Sequence, residues 1–206
     1  MKPTKPQIER LYETAFQINA HLPEDYQIKV FEESRDTLVD VLLQRNLEER
    51  HVLVVGGGGY IGPIVTAHLL DSGYRVRNLD LFLFGTQSVL LPFFSNPKFE
   101  SIQGDHCDPV VLNSALEGIT DVIILSGLVG DPITKTYPDA SETINNEGIN
   151  NLIAGLDGRG LSKVIFVSTC SNYGLIGDDE LANEGFELNP LSLYAKAKVA
   201  MEKKIL

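Results

Sequence analysis

Val52-Leu53-Val54-Val55-Gly56-Gly57-Gly58-Gly59-Tyr60-Ile61-Gly62 is the stretch on which the fold turns. Its first four residues form a short, continuous apolar run, the mark of a strand buried on both faces. The glycines then read as a tight turn, and the apolar residues through Leu70 as a helix. Gly56, Gly59 and Gly62 stand at GxxGxxG spacing. A turn here requires positive φ, which glycine permits. A missing Cβ also lets a dinucleotide pyrophosphate approach the backbone. The helix that begins there aims unpaired N–H groups and its positive dipole end at the phosphates. Pro63 suits the first turn, where its missing N–H would have had no partner.

Downstream, strand-like runs recur at Tyr74 to Leu79, Phe99 to Ile102, Val122 to Leu125 and Val164 to Val167. Helical segments are expected near 109–117, 139–157 and 192–206. Strand and helix alternate throughout, which predicts an α/β fold: a Rossmann doubly wound parallel sheet of about five strands flanked by helices. Asp80 ends the second strand, 21 residues beyond Gly59. That is the offset of a carboxylate that holds the adenosine ribose hydroxyls. Its charge repels a 2′-phosphate and Leu81 brings no cation, so NAD is expected over NADP. Arg75 and Arg77 are the cations that keep NADP open.

Tyr194 and Lys198 fall at i and i+4 on the last helical segment, on one face. An ammonium beside a phenol lowers the phenol's pKa. The phenolate can then take a proton from an alcohol as hydride leaves. Ser168-Thr169-Cys170-Ser171-Asn172-Tyr173-Gly174 closes the fifth strand. A hydroxyl there faces the crevice where such sheets bind ligands, and can hold a substrate oxygen against Tyr194.

Residues 1–48 have no glycine and are polar. Ile8, Leu11, Tyr12, Ala15 and Ile18 recur at helical spacing, Leu22-Pro23-Glu24-Asp25 breaks the pattern, and Val39, Leu42, Leu43 and Leu47 suggest a second helix. This predicts a helical N-terminal extension before a nucleotide-binding domain over 49–206. A net charge of −11 argues against a nucleic-acid partner. Cys107 and Cys170 lie in no CxxC or Cys/His spacing, so the sequence offers no metal site. Neither a signal peptide nor an apolar run long enough for a membrane is visible, and two reduced thiols fit a cytoplasmic protein.

Together these pieces resemble the extended short-chain dehydrogenases/reductases, the NAD-dependent epimerase/dehydratase family, over about residues 51–206. The resemblance rests on residues 56–62, Asp80, Gly104-Asp105, Leu125-Ser126-Gly127, Asn145, the 168–174 segment and the Tyr194/Lys198 pair. It implies that Gly56, Gly59, Tyr60, Ile61 and Gly62 cradle the pyrophosphate, and that Asp105 and His106 sit by the adenine. It further implies that Leu125, Ser126 and Gly127 line the cofactor, that Asn145 is an active-site residue, that Thr169 joins Tyr194 and Lys198 in catalysis, and that Asn145, Tyr194 and Lys198 also bind the cofactor. Sugar dehydratases of this group carry an Asp-Glu pair after the catalytic Thr, where this chain has Cys170-Ser171. The resemblance therefore favours a nucleotide-sugar 4-epimerase, or simple oxidation and reduction. The family pattern continues past Lys198 into a C-terminal substrate domain that residues 49–206 do not contain. A non-catalytic dinucleotide-binding regulator, and a subunit whose site a partner completes, remain the alternatives. The resemblance also implies a homodimer built on the helices at 139–157 and 192–206.

Overall fold

The computed structural model describes residues 49–129, 135–177 and 181–205. The helical extension expected over 1–48 lies outside them. Five strands form one parallel sheet: β1 (His51–Val55), β2 (Arg75–Asp80), β3 (Phe99–Gln103), β4 (Asp121–Ile124) and β5 (Lys163–Phe166), in the order β3-β2-β1-β4-β5. Each strand lies within one residue of its expected place. The helices are α1 (Gly62–Asp71), α2 (Pro109–Ala115), α3 (Pro138–Glu142), α4 (Ile149–Leu156) and α5 (Leu193–Ile205). Between α3 and α4 the chain keeps winding through a π-helical turn, Thr143–Gly148.

β1 is buried along its whole length and feeds two core layers. Val52 and Val54 pack with Leu70 of α1, Val76, Phe82, Leu90 and Phe99. Leu53 and Val55 face the other way, into Leu112, Ile149, Leu152 and Met201 from α2, α4 and α5. Alternate side chains of a strand point to opposite faces, so a strand covered on both must be apolar at every position. Each such side chain contributes about 1.5–3 kcal/mol of burial.

One element had no sequence signal. Gln87–Phe93 forms a 3₁₀ segment that drops Leu90 into the α1-side core. Phe93 packs tilted and Phe94 edge-on against Phe99, with ring centroids 5.6 and 5.5 Å away.

Candidate nucleotide-binding and catalytic site

β1 is flanked by β2 and β4, so the strand order reverses at its carboxyl end, where sheets of this kind open a ligand crevice. A cleft of about 650 Å³ lies there. Gly56, Gly59, Tyr60, Ile61 and Gly62 line it, as do Leu125, Ser126 and Gly127, which adjoin Gly56, together with Asp80 and His106. The wall is made by close packing. Gly56 has φ +83, and a Cβ on it would lie 2.6 Å from the Ser126 nitrogen. A Cβ on Gly62 would lie 2.0 Å from the Gly57 carbonyl oxygen, whereas one on Gly59 would meet nothing nearer than 3.5 Å. Gly62 thus closes the turn, and Gly59 leaves space. No side chain caps the start of α1, so its first amides have no side-chain acceptor. These features fit a dinucleotide pyrophosphate.

Asp80 organises the turn as well as facing the cleft. One carboxylate oxygen accepts from the Gly58 amide at 2.9 Å, the other from the Phe82 amide at 2.6 Å. Phe82 takes a left-handed φ of 54 and lies against Gly58. The Thr86 hydroxyl donates to the Gly58 carbonyl at 2.7 Å. Leu81, Leu83 and Phe84 complete an apolar rim, and no lysine or arginine lines the cleft among the described residues. Arg77 is committed elsewhere: it donates to the carbonyls of Ala115 and Glu117 at 2.7 and 2.8 Å and pairs with Glu100 at 3.0 Å. Arg75 starts β2, at the opposite end of the strand from Asp80.

His106 reaches the cleft but Asp105 does not line it. The Asp105 carboxylate instead accepts from the Cys107 amide at 2.8 Å, holding its own turn. Burial pushes the His106 imidazole down, against Asp105 and Asp80, and its Nε2 has no partner. Ligand atoms of Asp105, His106 and Cys107 lie within 4.8 Å of one another, a grouping the sequence spacing did not suggest. Burial, then a hydrogen bond with Asp105, pushes the Cys107 thiol up to about 12.

The residues expected to be catalytic sit beside this cleft. Tyr194 and Lys198 are both buried on α5 and line a small void with Ser126 and Asn145. Its volume, about 10 Å³, suits one water. Ser126 lines both void and cleft, and its buried hydroxyl has no partner. The Lys198 ammonium stands on the same face of α5 as Tyr194, as the i, i+4 spacing suggested. It donates to the Val167 carbonyl at 2.8 Å and lies 4.4 Å above the Phe166 ring, but 5.8 Å from the centre of the Tyr194 ring. Burial pulls Lys198 down to about 8, with Glu202 opposing. Burial likewise pushes Tyr194 up, opposed by its hydrogen bond with Thr169 and reinforced by Cys170. Desolvation of the phenol thus outweighs the hydrogen bond that favours phenolate.

Thr169 also accepts from the Ser171 amide at 3.3 Å, capping the 3₁₀ segment Cys170–Tyr173. Asn145 lies in the π-helical turn and grips Leu128 at two points. Its Oδ1 accepts from the Leu128 amide at 2.8 Å, and its Nδ2 donates to the Leu128 carbonyl at 3.0 Å and to Ser141 at 3.1 Å. Asn145 thus positions the loop that carries Ser126 and Gly127. Glu202 also shapes the site but escaped the sequence reading, its trace being the i+4 spacing from Lys198; Gly57 and Asn172, inside the quoted 56–62 and 168–174 segments, shape it too.

The family model for the NAD dependent epimerase/dehydratase family matches residues 52–206. The chain belongs to this family. Among curated relatives of this epimerase/dehydratase chain, a 3 beta-hydroxysteroid dehydrogenase/Delta 5-->4-isomerase of Mycobacterium tuberculosis is 32% identical over 164 residues, covering 75% of this chain and 42% of that protein. A UDP-glucose 4-epimerase of Lactobacillus helveticus is 28% identical, covering 74% of this chain and 45% of that one. The Thermus thermophilus UDP-glucose 4-epimerase, solved with NAD, superposes with a TM-score of 0.67 at 27% identity, covering 74% of this chain and 49% of that one. The Bacillus cereus UDP-glucuronic acid 4-epimerase, solved with UDP-glucuronic acid and NAD, gives 0.68 at 25%, covering 75% and 50%. The chain spans about half the length of the relatives it matches or less. No helix among the described residues is long and apolar enough to cross a membrane.

Proposed function

We propose that the protein is an NAD-dependent oxidoreductase that epimerises a nucleotide-sugar at a secondary carbinol, most readily C4. The observation that carries this reading is the meeting of two sites at Ser126. It joins the glycine-walled cleft to the void that holds Tyr194 and Lys198. Asp80 would hold the adenosine ribose, and the lack of a lysine or arginine lining the cleft among the described residues supports NAD over NADP. When bound, NAD supplies a hydride acceptor, and in an epimerase the same hydride returns to the other face of the ketone. Thr169 would hold the substrate oxygen, and Tyr194 would take its proton. The Tyr194–Thr169 hydrogen bond already opposes the effect of burial on the phenol, and Lys198 supplies positive charge nearby. The chain's likeness to two 4-epimerase structures supports the sugar assignment.

A second reading, net oxidation of a hydroxysteroid-like alcohol, draws on the mycobacterial relatives and needs the same three residues. The two differ in their redox balance. Titration calorimetry with NAD and NADP comes first, with a denatured sample checked for cofactor carried through purification. The chain is then incubated with NAD and UDP-glucose or UDP-glucuronic acid. A 4-epimer seen by NMR, with no net rise at 340 nm, supports epimerisation. A stoichiometric rise at 340 nm with a hydroxysteroid supports the second reading. No binding of either dinucleotide overturns both.

A further inference from the structure

Behind the catalytic pair lies a buried polar chain that neither the sequence pattern nor the proposed reaction requires. Asn172, only 2% exposed, sits in the 3₁₀ segment that follows Thr169. Its Nδ2 donates to the Ser168 hydroxyl at 3.0 Å and to Glu202 Oε1 at 2.9 Å. Its own amide donates to the Thr169 carbonyl at 3.4 Å, and its carbonyl accepts from the Asn189 amide at 2.8 Å. The Oδ1 is buried without a partner. Turning the carboxamide over would aim that oxygen at a carboxylate, so Glu202 fixes which way Asn172 points. Glu202 stands one helical turn beyond Lys198, on the same face of α5.

The surroundings of the Lys198 ammonium leave few sources of negative charge. The loop after β4 presents Ser126, the π-helical turn Asn145, β5 and its end Phe166 and Val167, and α5 itself Tyr194. None of these is anionic at neutral pH. Glu202, one turn further along α5, is the carboxylate whose charge opposes the effect of burial on Lys198.

We propose that Glu202 is a positioning residue for the reaction: it supplies the counter-charge of the buried Lys198 and, through Asn172, anchors the Thr169-bearing loop to the catalytic helix. This rests on the functional reading above. The two tasks separate by substitution. Glu202→Gln removes the charge and keeps an oxygen to accept from Asn172; Glu202→Ala removes both.

The test uses the full chain without cofactor. Lysine side-chain ¹⁵N NMR gives the titration midpoint of Lys198, assigned with Lys198→Met, and amide hydrogen exchange follows Asn172 and Gly174. In both variants the Lys198 midpoint should fall by about 1 pH unit from its value near 8. Exchange at Asn172 and Gly174 should speed at least tenfold in Glu202→Ala and stay unchanged in Glu202→Gln. An unmoved midpoint in Glu202→Gln, or unchanged exchange in a folded Glu202→Ala, overturns the proposal. If Glu202→Ala does not fold, the Glu202→Gln midpoint decides alone. NAD titration of the unsubstituted chain reports separately on the functional reading, so either can fail without the other.

Discussion

The Lys198 ammonium donates to the carbonyl of Val167 at 2.8 Å, two residues before Thr169. Lys198 on α5 therefore clasps the end of β5 and ties that helix to the loop bearing Thr169, the proposed catalytic hydroxyl. It does so at a cost, because burial holds it at about 8, below its ordinary 10.5. Between these values the unfolded chain binds the extra proton, so below about pH 8 the charged, buried lysine costs stability. Lys198→Met should raise Tm at pH 7 by a few degrees and abolish turnover. A Tm that falls would show that the clasp outweighs the desolvation.

Activity should likewise decline as pH rises through about 8, where Lys198 loses its proton. Tyr194→Phe should lower kcat roughly 10²- to 10⁴-fold while leaving the calorimetric affinity for NAD within about threefold of the parent. A matching loss of NAD affinity would make Tyr194 a binding residue rather than the base.

The glycine turn makes a paired prediction. Gly62→Ala drives a Cβ to 2.0 Å from the Gly57 carbonyl oxygen. Such backbone overlap costs on the order of 3 kcal/mol, a Tm drop of roughly 6–12 °C. Gly59→Ala has room within the protein, with its nearest neighbour at 3.5 Å. Its Tm should stay within about 1 °C, with NAD affinity reduced at least tenfold as the methyl takes space meant for phosphate. Equal effects on stability and binding at both positions would contradict this division of labour.

Cofactor choice should reverse with two substitutions. Asp80→Ser combined with Leu81→Arg removes the repelling carboxylate and adds a cation at the rim of the cleft. The ratio of NADP to NAD affinity should rise at least tenfold. Asp80 also accepts the Gly58 and Phe82 amides, so the double variant should lose about 1–3 kcal/mol of stability. Calorimetry and a melting curve check the two effects independently.

Acid sensitivity should trace to His51. Burial foremost, then Arg77 and Arg75, hold this imidazole down to about 4 from 6.5. As pH falls, the unfolded chain takes up the proton first. Stability from the neutral, buried His51 is thus complete above about 6.5 and drains away towards 4. His51→Gln should flatten the fall of Tm between pH 7 and 4.5, and an identical slope in the two proteins would count against it.

Much of this molecule could be read before it was seen. The Val52–Val55 run, the glycines and Asp80 each announce themselves through local composition, and β1 needs apolar residues on both faces wherever it sits. The pairing of Asn78 with Thr66 under Gly57 is different. A buried asparagine in a strand has no periodic signature, and its partner is chosen by packing. The Asn172–Glu202 contact spans 30 residues for the same reason. The 3₁₀ segment Gln87–Phe93 contains Pro92 and is too short for any periodicity to register. The Val167 carbonyl that Lys198 donates to has no sequence signal either, because spacing places a side chain on a face without saying which acceptor near that face it meets.

The turn at Thr143–Gly148 has a further meaning for how the chain tolerates change. A π-helical turn carries one residue more than the α-helical turn it replaces. Removing a single residue from it would rewind α3 by about 100° relative to α4, carrying Asn145 away from Leu128 while both helices kept their hydrogen bonds. The insertion works like a thread offset on a screw: the length of one segment, rather than the identity of any side chain, sets the alignment of the loop that joins cleft and catalytic void. Single-residue deletions there should therefore be as damaging to function as loss of Asn145 itself, in a protein that remains folded.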